Sequence, residues 1–75
     1  RIIVSGNPQV GVTEHVISGN EAIAVLINYN PTPAKVEPVI GHGWKMAEVI
    51  SGNSTGKELN IDGNDAAIIR LVKNV

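Results

Sequence analysis

A triplet of Ser or Asp followed by Gly-Asn occurs four times in this 75-residue chain, at Ser5-Gly6-Asn7, Ser18-Gly19-Asn20, Ser51-Gly52-Asn53 and Asp62-Gly63-Asn64. Glycine and asparagine accept positive φ at low cost, so each copy can reverse the backbone where a Val or Ile would be strained. Between the copies lie short runs rich in Val, Ile and Ala. Turn signals every ~8–12 residues around such runs restrict the chain to a small all-β sandwich or barrel. The reading adopted is a single antiparallel β-sandwich domain of about seven short strands spanning residues 1–75.

Extended segments are expected near residues 1–4, 9–17, 21–29, 35–40, 44–50, 57–61 and 66–73. In Ala22–Tyr29 the two-residue period puts Ile23, Val25, Ile27 and Tyr29 on one face, which is assigned to the core. The smaller, mixed face of Ala22, Ala24, Leu26 and Asn28 marks the strand as central and partly covered on both sides. Pro31-Thr32-Pro33 ends it. Pro38 makes the next segment an edge strand, since proline cannot donate to a ladder. Lys45 and Glu48 break the two-residue period, and a bulge near Met46 or Ala47 would return both to one solvent face. Asn20-Glu21 and Asn64-Asp65 could instead cap helices, but the β-branched content and the turn spacing favour strands.

Six basic and seven acidic residues give a net charge of −1, with neither sign concentrated along the chain. Nucleic acid and anionic membranes need a clustered basic footprint and are not expected partners. No apolar run approaches the length of a membrane-spanning helix. The chain has no cysteine, so no disulfide or thiolate metal site can staple it. A core this small rarely supplies more than ~3–5 kcal/mol, which suggests help from a neighbouring domain. The start at Arg1 without Met is read as a segment cut from a longer polypeptide.

Residues that could carry chemistry are few. Glu14 and His15 are adjacent in a strand and point to opposite faces, and His42 sits between two glycines in a turn. No spacing of His and carboxylates suits a metal, and no cofactor is expected. The carboxylates Glu14, Glu21, Glu37, Glu48, Glu58, Asp62 and Asp65 adjoin turns or alternate outward, and a sandwich this small leaves little room for a glycosidase cleft. Ser5, Ser18, Ser51 and Ser54 lie in or beside the triplets without a nucleophile elbow, which fits turn chemistry. A phosphate loop is absent. Asn53-Ser54-Thr55 matches the N-glycosylation acceptor pattern. Tyr29 and Trp44, the sole Tyr and Trp in a chain with no Phe, are expected in core or corner packing. They are also the only candidate carbohydrate contacts, and no platform of more than two rings can be built from them.

From Ala22 onward the order of features is similar to the C-terminal β-sandwich domains of bacterial glycoside hydrolases. The residues that carry the likeness are Ala24-Val25-Leu26-Ile27-Asn28-Tyr29 and the proline turn, then Ala34-Lys35-Val36-Glu37-Pro38-Val39-Ile40, then Gly43-Trp44-Lys45, and finally Asn64-Asp65-Ala66-Ala67-Ile68-Ile69-Arg70-Leu71. The resemblance implies a non-catalytic accessory domain packed against the catalytic domain of the same polypeptide. It transfers no catalytic residue, because the acid, base and nucleophile of such enzymes reside in the barrel. A carbohydrate-binding module and an immunoglobulin-like or fibronectin-like spacer remain as alternatives.

Overall fold

The segments rich in Val, Ile and Thr are all extended in the computed structural model, which describes residues 1–74. Among the described residues there is no helix; Asn20-Glu21 and Asn64-Asp65 each lead into a strand. The described residues form nine strands: β1 (Ile3–Val4), β2 (Val10–Ser18), β3 (Glu21–Asn28), β4 (Ala34–Val36), β5 (Val39–Ile40), β6 (Trp44–Ser51), β7 (Asn53–Thr55), β8 (Glu58–Ile61) and β9 (Ala66–Lys73). An antiparallel sheet in the order β2-β3-β9-β6 makes one layer. The short sheets β4-β8-β7 and β1-β5 complete the all-β sandwich.

Two differences from the expected strand count have local causes. Residues 35–40 do not form one strand, because Glu37-Pro38 interrupts it: β4 pairs with β8, and beyond the proline β5 pairs with β1. Pro38 has no N–H to give a ladder, and the chain uses that break to change sheets. Residues 53–55, expected in a turn region, form β7 on the edge of the three-stranded sheet. The bulge falls where the charge spacing put it, with the β6–β9 register shifting between Met46 and Glu48 and leaving Lys45 and Glu48 exposed.

Strand β3 is central, between β2 and β9, but its faces are the reverse of the assignment from residue size. Ala22, Ala24, Leu26 and Asn28 are fully buried, while Ile23, Val25 and Ile27 are half-buried and Tyr29 is exposed. The cause lies in the opposite layer. Val36, Leu59 and Ile61 descend onto β3, and Ile69 and Leu71 flank it, so the space over β3 suits alanines better than isoleucines. The core is this large-against-small packing, closed at its margins by Ile3, Val10 and Ala67.

The four triplets serve different ends. Ser5 is buried, with its hydroxyl 2.8 and 2.7 Å from the carbonyls of Asn7 and Val10 while accepting the Asn7 N–H. Ser18 accepts the Asn20 N–H in the β2–β3 hairpin, where Gly19 turns without positive φ. Ser51-Gly52-Asn53 is not a reversal. At Gly52 (φ 122°) the chain leaves the four-stranded sheet as β6 and enters the three-stranded sheet as β7, a conformation that side chains rarely adopt. In Asp62-Gly63-Asn64, Asn64 has positive φ (56°), and Gly63 passes so close to Pro31 that a Cβ there would collide with the Pro31 carbonyl.

Asn28 holds that junction together. Its fully buried amide nitrogen donates toward the carbonyls of Thr32 (2.8 Å), Ile61 (3.1 Å) and Asp62 (3.2 Å), and its Oδ1 accepts the Asn30 N–H at 3.0 Å. The proline turn and the Asp62 turn are thereby tied to one side chain, with further backbone bonds from Asn64 N–H to Asn30 O and from Asn28 N–H to Asp65 O. An amide suits this position because it can donate and accept at once.

Candidate functional site

A groove of about 360 Å³ lies where the β4–β5 connection meets the start of β6. Pro38, Ile40, Trp44 and Met46 supply its apolar surface, and Glu37, Lys45 and Lys57 its charged groups. The break at Pro38 and the Gly41–Gly43 turn bring these segments together; Trp44 N–H donates to Gly41 O at 3.1 Å, closing the turn that starts β6. Trp44 is half-buried and packs against the core, as expected of a strand-corner tryptophan. The Lys73 ammonium lies 5.9 Å from its ring centroid, within cation–π range.

The two candidate carbohydrate contacts do not meet. Tyr29 is 66 % exposed, which corrects its assignment to the core, and its ring lies over Gly11 on the outer face of the four-stranded sheet, where a Cβ would approach Tyr29 Cε2 to 2.9 Å. Trp44 pairs with Lys73 at the far end of β9, whereas Tyr29 follows Asn28, which bonds to Asp65 at the near end. The two rings sit at opposite ends and on opposite faces of the sheet, roughly 25 Å apart at the rise of a strand. A single two-ring platform is excluded.

Several of the remaining polar residues are engaged in structure. Glu14 Oε2 accepts the N–H groups of Ile2 and Ile3, both at 2.8 Å, pinning the N-terminal segment against β2. His15, on the outer face, is exposed and lies 3.3 Å from the Thr13 hydroxyl; His42 is exposed in its turn. Arg70 pairs with Glu48 (2.7 Å) and Glu21 (3.2 Å) across the outer face. The hydrogen bond that Arg70 donates to Glu48 leads in raising the Arg70 pKa above its ordinary value, against desolvation, which lowers it, and with a further contribution from the bond to Glu21. The Asn53-Ser54-Thr55 pattern is exposed on β7. Among the described residues no three His or carboxylate groups converge as a metal site.

Sequence reasoning missed the clustering of Lys45, Lys57 and Lys73 around Trp44. These lysines come from β6, the β7–β8 turn and the end of β9, so no local spacing announces their meeting. Comparisons with protein-family models, curated proteins and solved structures find nothing that matches this chain.

Proposed function

We propose that this chain is a non-catalytic accessory β-sandwich that packs against a companion domain of the same polypeptide, with a glycoside hydrolase catalytic domain as the partner favoured by the sequence resemblance. The observation that carries this reading is the outer face of the four-stranded sheet. Ile23, Val25 and Ile27 on β3 pair with Arg70, Ile68 and Ala66 on β9, and Val72 extends the row. All six aliphatic residues are half-buried, and none belongs to the hydrophobic core. A contiguous aliphatic face bordered by a charged cluster, here Arg70 with Glu21 and Glu48, has the composition of an interface centre and its rim.

The open reading frame upstream of Arg1 is the direct test. A catalytic barrel with paired carboxylates supports the reading, and tandem copies of this module overturn it. In the longer protein, Ile68→Asp should loosen the domain from its companion while the isolated chain keeps its own melting temperature. If the two domains stay associated, the outer face is not the docking surface. A carbohydrate-binding module is the second reading, favoured by the exposure of Tyr29. It requires Tyr29→Ala to abolish binding of a soluble glycan.

A further inference from the structure

Three of the four lysines in the chain gather about one groove: Lys45 and Lys57 line it, and Lys73 covers the Trp44 ring. The chain as a whole carries −1, so this concentration of positive charge is local. Both carboxylate ion pairs among the described residues go to Arg70, and among the described residues no Asp or Glu lies within 4.0 Å of these lysines. Among the described residues, Glu37 is the one acidic group lining the groove. Beneath the charges lies an apolar surface of Pro38, Ile40, Trp44 and Met46, and the volume of about 360 Å³ falls within the range of small-molecule sites.

The geometry points to a binding site for a carboxylate carried on a ring-shaped body, the ring lying against Trp44 and its neighbours and the carboxylate meeting the Lys45 and Lys57 ammoniums. An ammonium attracts a carboxylate as a mobile point charge, and an indole face offers apolar area to any flat or ring-shaped partner. An acidic sugar ring and an aromatic acid share this chemistry. The groove lies at the β6 edge of the sheet and takes none of Ile23, Val25, Ile27 or Ile68 into its lining, so the inference stands or falls independently of the docking reading.

Trp44 is the only tryptophan, which makes its emission a direct reporter of the groove. The experiment titrates the intact chain with trigalacturonate, with the neutral trisaccharide of the same linkage, and with phenylacetate. At least one acidic probe should give a saturable change in emission that weakens at ~0.5 M salt, where exposed charges are strongly screened, and the neutral sugar should give none. The ratio of the two acidic affinities identifies the preferred body. Because Lys45 and Lys57 are exposed, Lys45→Gln with Lys57→Gln should keep the melting temperature while weakening the acidic probe about tenfold. Glu37→Gln should tighten it, and Ile68→Asp should leave it unchanged. Silence from both acidic probes, equal binding of the neutral sugar, or unaltered binding by the double lysine variant would overturn the site.

Discussion

Replacing Asn28 should remove most of the stability of the domain. The side chain is fully buried and serves three carbonyls and one N–H. Two amide hydrogens reach three carbonyls, so at least one bond is shared, leaving about three hydrogen bonds' worth of stabilisation at ~1 kcal/mol each. Asn28→Ala forfeits these and leaves buried partners unsatisfied, for a cost of about 3–4 kcal/mol. That approaches the ~3–5 kcal/mol expected of so small a core. Urea unfolding followed by Trp44 emission should show the midpoint falling by ~3 M, at a slope of ~1 kcal/mol/M.

Asn28→Asp adds a pH signature. The new carboxyl faces three carbonyl oxygens and must hold a proton to donate, so its folded pKa lies above the unfolded value of ~3.9. Such a group contributes stability that is fully present below the unfolded pKa and is lost as pH rises toward the folded one, at ~1.4 kcal/mol per unit. The gap between Asn28→Asp and the parent should therefore widen from pH 4 to pH 7, while the Asn28→Ala gap stays flat. A loss below ~1 kcal/mol for Asn28→Ala, or an Asn28→Asp gap independent of pH, would refute the role given to this side chain.

Two glycines from the same triplet motif should respond in opposite senses. Gly63→Ala drives a Cβ into the Pro31 carbonyl and should cost more than ~2 kcal/mol, whereas Gly19→Ala meets nothing within 4 Å at a residue without positive φ and should stabilise by ~0.4–1 kcal/mol; thermal melts of both variants check the pair. Glu14→Ala should cost about 1–2 kcal/mol and accelerate amide exchange at Ile2 and Ile3, whose N–H groups it accepts. Unchanged exchange at those two amides would mean that the N-terminal segment is held by other contacts.

The all-β class was legible because turn chemistry and β-branched runs are local signals, and the bulge at Met46–Glu48 was legible from the spacing of Lys45 and Glu48. The phase of β3 was not. Side-chain size favoured the Ile23 face for the core, but which face is buried depends on what the opposite layer supplies, and Val36, Leu59 and Ile61 come from elsewhere in the chain. Arg70 held the missing clue. It lies opposite Ile23 in the ladder and marks that face as the outer one, yet the pairing of β3 with β9 cannot be read from either strand alone. The groove was hidden for the same reason, since Trp44 and its lysines converge only after the strands are in register. Tyr29 followed the error in phase, and the ring expected in the core lies over Gly11 in solvent.

The seat of β9 between β3 and β6 bears on how the chain acquires its structure. Glu21 pairs with Val72, so a strand made early waits for one made last. Until residues 66–73 have emerged, the β3 edge of the β2–β3 hairpin is unpaired and β6 has no neighbour in its sheet. Long-range pairing of this kind slows folding and leaves strand edges uncovered in the interim. The domain is thus committed to folding as a whole after its final strand is synthesised, and the nascent hairpin is the form in which it is most exposed to mispairing.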